Sequence, residues 1–335
     1  MKSLLSSRLM PLPHTLFLEI CSRCNLRCVM CPKTHGHVNT DEDIVMSREV
    51  FARLAGLFPC ISHAELSGLW GEAMLPADLY AEFLSELKRH RIFVTTVSNG
   101  TVIKDDLARR IVEAGLDRLM VSVDACRPET YRKIRTPGRL EDVVSGLESL
   151  KEWKRRLSKS VPKVELTFLG MRSNIEELPD FVRFAHEHGA ERIFLQALGE
   201  YDNTKGESIA LNDKPLGRKY AGEAKRIADE LGIEFGLQPP DQFEEDRGDR
   251  NQVRDTASLR KACLDPWNKV VITASGNVLP CCSSRISYGN LLEQEFEDIW
   301  YGARFRELRR AIKSDRPPEM CRVCTGVAWE PASFK

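Results

Sequence analysis

The sequence CSRCNLRCVMC at residues 21–31 follows a short apolar run at 16–20, and three of its cysteines, Cys24, Cys28 and Cys31, have the spacing C-x3-C-x2-C. Three thiolates so close in sequence can hold three irons of a cubane iron-sulfur cluster and leave the fourth iron without a protein ligand. An open metal position suits a catalytic cluster better than a purely electron-carrying one. The stretch therefore predicts a cluster whose fourth iron binds a substrate or cofactor.

A four-thiolate zinc site is the alternative for this stretch. Cys21 with Cys24 would form one pair and Cys28 with Cys31 the other, but only three residues separate the pairs, fewer than zinc sites usually place there. A disulfide is a weaker alternative, because the apolar stretch at the start of the chain is too short for a signal peptide. The spacing favours the cluster.

The composition limits the classes of partner. The 335 residues include 49 Lys and Arg and 49 Asp and Glu, so no net field attracts nucleic acid or an anionic membrane. No apolar run reaches the roughly 18 residues that a membrane-spanning helix needs. The 11 cysteines fall mainly in two groups near the ends, which in a reducing compartment favours metal binding over disulfides. We expect a cytoplasmic protein with no membrane or nucleic-acid partner.

Apolar runs alternate with amphipathic stretches as far as about residue 238. The predicted strands are 16–20, 62–67, 92–97, 117–123, 162–169, 191–198 and 233–238. The predicted helices lie near 47–58, 78–90, 105–115, 140–156, 175–188 and 216–231, with N-caps such as Ser47, Asp78 or Asp105 and ends at Gly115 or Gly189. Strands that alternate with helices run parallel, so periodicity leaves an open doubly wound sheet or a barrel.

The cysteine stretch closely resembles the signature of the radical S-adenosylmethionine (SAM) superfamily, with Met30 where that family usually has an aromatic residue. The resemblance implies an α/β fold, a partial (β/α)6 radical SAM barrel, with the cofactor at the carboxyl ends of the strands. It also implies that the fourth iron chelates the amino and carboxylate groups of SAM. No glycine-rich dinucleotide or phosphate-binding motif follows a predicted strand, which agrees with a barrel.

Polar residues after the predicted strands match SAM-binding positions of the family. Trp70, Gly71 and Glu72 resemble its GGE-type motif, with Trp70 replacing the first glycine, and Glu72 would accept a hydrogen bond from the SAM ammonium. The alternative is an ordinary glycine-rich loop with a solvated glutamate. Asn99 belongs to a turn, Ser98 to Thr101, that is similar to the Thr-Asn-Gly-Thr turn of these barrels.

The fourth predicted strand carries the expected ribose contacts. Strand alternation would place Ser122 and Asp124 on one face, where a hydroxyl and a carboxylate suit the ribose or the SAM head group. Arg135 would pair with the SAM carboxylate, or else form a surface salt bridge. Asn174 and Gln196 are further candidates for adenosine contacts, with a structural role as the alternative.

A second cysteine group occupies the C-terminal part. Val270 to Thr273 and Asn277 to Leu279 flank Ser-Gly-Asn, which predicts a hairpin that returns Cys281 toward Cys263. Cys321 and Cys324 follow as C-x2-C. Four thiolates from these elements can enclose a cluster, and a structural zinc site is the alternative.

This part resembles the SPASM/twitch extension of radical SAM enzymes, in its branch with a single auxiliary cluster. The resemblance implies the auxiliary-cluster ligands Cys263, Cys281, Cys321 and Cys324, with Cys282 able to replace Cys281. The expected cofactors are two 4Fe-4S clusters, one SAM-binding and one auxiliary, and S-adenosyl-L-methionine. The expected domains are a core barrel at 1–240, a linker at 241–262 and the small cysteine-rich SPASM/twitch domain at 263–335.

The family implies reductive SAM cleavage to a 5′-deoxyadenosyl radical that abstracts a substrate hydrogen. With the auxiliary cluster as electron acceptor, this predicts an oxidoreductase that dehydrogenates a compact polyol or aminosugar, fed by an external one-electron donor such as flavodoxin or ferredoxin. The alternatives are a maturase forming thioether or carbon-carbon bonds on a peptide substrate, and a redox-neutral epimerase using Cys60, Cys126 or Cys282. A two-cluster electron carrier is the non-enzymatic alternative.

Overall fold

A computed structural model describes residues 10–36, 43–244 and 263–322. The chain divides into two compact units, a larger one formed by Ile20–Val45 and Leu66–Glu245 and a smaller one formed by Met1–Glu19, Met46–Glu65 and Asp246–Lys335. The predicted linker at 241–262 lies almost wholly outside the described residues. The three domain boundaries therefore stay predictions.

The larger unit alternates strands and helices. The chain passes into this unit within β2 (His63–Ser67). The strands that follow are β3 (Phe93–Ser98), β4 (Arg118–Ser122), β5 (Lys163–Gly170), β6 (Arg192–Ala197) and β7 (Glu234–Gln238). Its helices are α2 (Ala77–Arg89), α3 (Asp105–Ala114), α4 (Pro128–Ile134), α5 (Leu140–Arg156), α6 (Leu178–Glu187), α7 (Ile209–Asn212) and α8 (Lys214–Leu231). The strand order is β7-β6-β5-β4-β3-β2, and β3 to β7 pair parallel. This confirms the α/β class and an unclosed partial barrel.

The two faces of this sheet have different neighbours. Phe168 of β5 packs against Phe181 of α6, with ring centroids 5.0 Å apart, so its face of the sheet is covered by helices. Leu169, the next residue, points to the opposite face because strand side chains alternate. Leu169 is in register with Gln196 of β6, which is in register with Gln238 of β7. These three residues therefore share the inner face, at the carboxyl end of the strands.

The smaller unit contains the predicted C-terminal hairpin. Its strands are β1 (Thr15–Glu19), β8 (Lys269–Ile272) and β9 (Val278–Leu279). Its helices are α1 (Arg48–Ala52), α9 (Asp265–Asn268), α10 (Phe296–Trp300), α11 (Ala303–Lys313) and α12 (Glu319–Arg322). β1 pairs parallel with β8, and β8 pairs antiparallel with β9, which confirms the hairpin.

Helix starts were predicted less well than helix ends. Ser47 does cap α1, since its side chain accepts a hydrogen bond from Val50 N. Asp78 and Asp105 were wrong as N-caps, because α2 begins after Pro76 and α3 after Lys104. Both aspartates lie in the first helical turn, where a negative charge is favourable without a cap geometry. Gly115 does end α3, with φ +81°.

Three predicted elements are shorter or broken. The stretch near 47–58 is the short α1 followed by a 3-10 helix, Ala55–Cys60, and the stretch near 175–188 begins as a 3-10 helix, Ile175–Glu177, before α6. β4 ends at Ser122 and not at residue 123. In the described part of the chain, no helix has the length and apolar character to cross a membrane.

Candidate active site

The three cysteines of the opening motif lie together in the larger unit. The charge of each thiolate affects a neighbour, since Cys24 and Cys31 both act on the pKa of Cys28. Burial raises the pKa of Cys28 to about 11, and the nearby positive charge of Arg135 opposes this rise. Buried thiols of this kind become thiolates when a metal takes the place of the proton.

Gly71 lets the cysteine loop pack directly against the backbone, because glycine has no side chain. A Cβ at this position would lie 2.2 Å from the carbonyl oxygen of Cys21 and 2.7 Å from that of Arg23. The next amide, Glu72 N, donates to the same Arg23 carbonyl at 2.7 Å. Trp70 is half-buried in this loop. The backbone at residues 71–72 thus contacts the cysteine loop directly.

Glu72 is buried beside that contact, with 2% of its surface exposed. Its Oε1 accepts hydrogen bonds from Ser98 Oγ at 2.8 Å and Met74 N at 3.2 Å, and its Oε2 accepts from Asn99 N at 2.7 Å. Burial raises the pKa of Glu72, and these three donors oppose the rise. Oε2 has one bond and keeps acceptor capacity for a cation.

Asn99 connects the turn after β3 to the cysteine motif. Its Nδ2 donates to Asn25 Oδ1 at 2.9 Å and lies 3.8 Å from Cys24 Sγ. Its Oδ1 accepts from the backbone N of Thr101 at 3.0 Å and from the Thr101 hydroxyl at 2.7 Å. Leu26 N is a second donor to Cys24 Sγ, at 3.4 Å. The Asn99 side chain is therefore occupied in positioning the motif.

Asp124 and Arg135 form a buried ion pair. Asp124 Oδ2 accepts from Arg135 Nε at 2.8 Å and from Nη2 at 2.5 Å, while Oδ1 accepts from Leu169 N at 2.8 Å. Arg135 Nη1 lies 4.0 Å from Cys28 Sγ. One side of the guanidinium is thus fixed by Asp124, and Nη1 faces the cysteine motif.

The alternation argument for Asp124 was wrong. β4 has ended by this residue, which adopts a left-handed backbone with φ +65°. Asp124 reaches the site through this turn of the chain. Asn174 has a structural role, because its Nδ2 donates to the carbonyls of Asp124 and Leu169, both at 2.9 Å.

Two other polar positions face the inner side of the sheet. Ser122 is half-buried at the end of β4, and within the described residues its hydroxyl has no hydrogen-bond partner. Gln196 Nε2 donates to Gln238 Oε1 at 3.0 Å. One amide oxygen and one amide NH₂ of this pair stay open, and the same holds if both amides are flipped.

The donor set at the motif fits a cubane cluster. In the described ranges, no three Cys, His, Asp or Glu side chains are placed around a single metal-ion position. A cubane binds each thiolate to a different iron and does not require one common point. Elsewhere in this unit, the Tyr131 hydroxyl is fully buried and has no hydrogen-bond partner among the described residues.

The second cysteine group lies in the smaller unit, with Cys324 outside the described residues. Burial raises the pKa of Cys281 to about 12. Burial is the main cause that raises the pKa of Tyr288, and the negative charges of Cys321 and Cys281 raise it further. Both thiols therefore lie near this ring. Cys282 is exposed, and Lys269 is the largest charge acting on it. This arrangement favours Cys281 over Cys282 as a partner of Cys321.

Sequence reasoning missed three side chains of the larger unit. Ser98 was noted only as part of a turn, although its hydroxyl binds Glu72. Gln238 is paired with Gln196 by strand register, which needs the sheet order. Nothing in the sequence distinguishes Tyr131, because the hydroxyl of a buried tyrosine usually has a hydrogen-bond partner and the sequence gives no reason to expect an unpaired one.

Family comparisons cover both cysteine groups. Residues 18–185 match the model of the radical SAM superfamily, and residues 263–325 match that of an iron-sulfur cluster-binding domain known as SPASM. These matches confirm the resemblance and the expected cofactor classes, SAM and 4Fe-4S clusters.

Individual relatives are distant. A probable GTP 3′,8-cyclase of Methanocaldococcus jannaschii is 28% identical over 244 residues, 69% of this chain and 78% of that protein. An AdoMet-dependent heme synthase of Methanosarcina barkeri is 26% identical over 350 residues, 94% of this chain and 90% of that protein. The crystal structure of Streptococcus suis SuiB bound to S-adenosylmethionine has a TM-score of 0.68 at 15% identity, over 97% of this chain and 75% of that one. At that identity the structure shows the fold alone.

Replacing Glu72 by Gln should weaken SAM binding by roughly ten- to hundredfold, because a charge-assisted hydrogen bond becomes neutral. The matched control is Ser98→Ala, which removes one donor to the same carboxyl but keeps its charge. Calorimetry on both reconstituted variants measures the affinity, and iron content shows that the cluster is present. Equal losses in the two variants would remove the Glu72 charge from SAM recognition.

The buried Glu72 carboxyl also predicts a pH dependence of SAM binding, which can be compared between the wild type and Glu72→Gln. Burial raises the pKa of Glu72, so protonation on lowering the pH should weaken SAM binding in the wild type. Affinity should be constant well above that pKa and fall as the pH drops through it. Glu72→Gln should show a flat profile over the same range.

Cys281 and Cys282 provide a second matched pair. Two four-iron clusters require about eight irons per chain. Cys281→Ala should lower this to about four, whereas Cys282→Ala should keep about eight, measured with sulfide content on anaerobically reconstituted protein. The reverse result would make Cys282 the ligand.

Proposed function

Because the chain belongs to the radical SAM superfamily and carries a SPASM extension, we propose that it oxidises a compact polar substrate, dehydrogenating a polyol or aminosugar. The observation that carries this proposal is the meeting of the Cys24 to Cys31 loop, Glu72 and Arg135 within one unit. The oxidative outcome is supported by the second cysteine group, which offers a separate electron acceptor.

The proposed cofactor-binding roles follow from the hydrogen-bonding atoms of these residues that the fold leaves unused. Cys24, Cys28 and Cys31 would hold the first cluster. Glu72 Oε2 would accept a hydrogen bond from the SAM ammonium, and Arg135 Nη1, the end not fixed by Asp124, would pair with the SAM carboxylate. An anion and a cation at two separate points match the two charges of an amino acid.

The ribose has one suitable partner. The Ser122 hydroxyl is at the carboxyl end of β4 and can both donate and accept a hydrogen bond. Asn99 and Asp124 would act on SAM indirectly, because their polar atoms are engaged with the cysteine motif and with Arg135.

The cluster that Cys24, Cys28 and Cys31 would hold would supply, together with SAM, the abstraction of a hydrogen atom from the substrate, and the cluster that Cys263, Cys281, Cys321 and Cys324 would hold would supply a one-electron acceptor for the oxidation. The protein's part is to orient the carbon-bound hydrogen and to exclude water. An external one-electron donor such as flavodoxin or ferredoxin would supply the electron that SAM cleavage consumes.

The inner face of β6 and β7 supports a substrate with neighbouring polar groups. The Gln196–Gln238 pair has one open acceptor and one open donor. Vicinal hydroxyl or amino groups satisfy such a pair, since a hydroxyl can donate and accept. Phe194, two residues before Gln196, lies on the same face and is half-buried, so its ring can contact the C–H face of a cyclic substrate.

A second candidate is the cyclisation of a purine nucleotide. It is favoured by the similarity to a probable GTP 3′,8-cyclase, which spans 69% of this chain. The open amide oxygen and NH₂ of the glutamine pair would also suit the edge of a nucleobase. The test therefore includes GTP as an alternative substrate.

The test begins with SAM cleavage. Anaerobically reconstituted protein with dithionite should form 5′-deoxyadenosine, and myo-inositol or glucosamine labelled with deuterium on carbon should transfer deuterium into it. Transfer from labelled GTP alone would favour the nucleotide reaction. Protein with stoichiometric zinc and little iron would contradict the radical reaction itself.

The auxiliary site has its own prediction. Replacing Cys263 and Cys321 together by Ala should leave 5′-deoxyadenosine formation but stop the oxidised product, because the substrate radical loses its electron acceptor. Cluster spectra and thermal unfolding on the same samples are the controls, since cluster loss can unfold a small cysteine-rich domain. Full product formation by a folded variant without the second cluster would contradict the electron-acceptor role.

A further inference from the structure

Three side chains beside the cysteine motif, those of Asn25, Thr101 and Asn99, form a closed ring of hydrogen bonds. Asn25 Nδ2 donates to the Thr101 hydroxyl at 2.8 Å, that hydroxyl donates to Asn99 Oδ1 at 2.7 Å, and Asn99 Nδ2 donates to Asn25 Oδ1 at 2.9 Å. Asn25 directly follows Cys24, whereas Thr101 and Asn99 belong to the turn after β3. The hydrogen-bond ring therefore connects the motif to that turn.

The backbone of the turn decides which end of the Asn99 amide is the oxygen. Thr101 N donates at 3.0 Å to the atom assigned as Asn99 Oδ1. A backbone N–H can only donate, so a flipped amide would place its NH₂ against this N–H. The hydroxyl of Thr101 gives no such constraint by itself, because it can both donate and accept. The NH₂ of Asn99 therefore points away from the turn and toward the motif.

The NH₂ of Asn99 has a second acceptor besides Asn25. It donates to Cys24 Sγ across 3.8 Å. Asn99 and Thr101 are buried, with 6% and 7% of their surfaces exposed, and Asn25 closes the hydrogen-bond ring on the solvent side. Water therefore has little access to compete for the amide at the sulfur.

The side chain of Asn99 can be changed without removing the neighbouring backbone bonds. Cys24 Sγ also accepts from Leu26 N at 3.4 Å, and Asn99 N donates to Glu72 Oε2 at 2.7 Å. Both donors are backbone amides, which any residue except proline supplies. The Asn99 amide is thus the donor to this sulfur that depends on the identity of a side chain.

We propose that the Asn25–Thr101–Asn99 hydrogen-bond ring holds the Asn99 amide as a donor to the Cys24 thiolate of the loaded first cluster and thereby raises the reduction potential of that cluster. Reduction adds negative charge to the cluster and its thiolates, and a donor to sulfur stabilises this charge. Asn25 and Thr101 act through Asn99 and are positioning residues. The inference requires the cluster of the radical SAM family and is independent of the substrate proposed above.

The test is a redox titration of the reconstituted full chain without SAM, followed by electron paramagnetic resonance. The signal of the first cluster is the one that SAM perturbs when it is added afterwards. Asn99→Ala removes the donor, Thr101→Val removes the hydroxyl at nearly the same volume, and Thr101→Ser keeps the hydroxyl. Thr96→Val is the matched control, because this buried threonine of the same unit loses a bond to the Tyr80 hydroxyl, at 2.7 Å, away from the motif.

Asn99→Ala should lower the ratio of reduced to oxidised first cluster roughly tenfold at a fixed potential, a negative shift of about 59 mV for one electron. Thr101→Val should shift the potential in the same direction by less, because Thr101 N still binds Asn99 Oδ1. Thr101→Ser should restore the wild-type potential, and Thr96→Val should leave it unchanged.

An unchanged potential in Asn99→Ala, or an equal shift in Thr96→Val, overturns the proposal. Weaker SAM binding at an unchanged potential also overturns it and assigns the Asn99 amide to SAM. Iron content and thermal unfolding are measured on the same samples. If Asn99→Ala fails to hold its cluster, the two Thr101 variants decide, because neither changes a residue that contacts a cysteine sulfur. Equal potentials in Thr101→Val and Thr101→Ser at full iron content would then overturn the proposal.

Discussion

The close approach between the backbone at Gly71 and the cysteine loop is the constraint on which the site depends. With carbonyl oxygens of Cys21 and Arg23 within 2.2 and 2.7 Å of where a Cβ would be, any side chain would push the loop away. Bonds from Arg27 N and Val29 N hold the other side of the loop to residues 134–136. A cluster with three protein ligands needs such support, because its own bonds do not fix the whole loop.

Glu72 connects this contact to the interior of the unit. Its amide donates to the Arg23 carbonyl, and its buried carboxylate accepts hydrogen bonds from Met74, Ser98 and Asn99. A carboxylate in that position is costly unless a cation compensates it. Arg135 is already paired with Asp124, so it leaves Glu72 only partly compensated. A ligand with an ammonium group is the kind of molecule that completes this arrangement.

The sequence identified what is local and missed what depends on tertiary arrangement. Cysteine spacing, the alternation of strands and helices and the Ser-Gly-Asn hairpin are all set by neighbours in the chain, and the fold agrees with them. The left-handed backbone at Asp124 breaks the strand alternation that the sequence suggested for Ser122 and Asp124. The Gln196–Gln238 pair depends on which strands are neighbours. The missing partner of Tyr131 could appear only once every donor and acceptor nearby had been placed.

The asymmetry of Arg135 connects the cofactor site with the cluster. Asp124 takes Nε and Nη2 and thereby fixes the plane of the guanidinium, so that Nη1 keeps one direction, toward Cys28. Lysine could not do this, because its ammonium has no plane to fix. A carboxylate bound at Nη1 would add negative charge beside Cys28. Arg135 is the C-cap of α4, and Ile134 O and Thr136 O accept from Val29 N and Arg27 N, so one short segment of chain both carries this guanidinium and holds the cysteine loop.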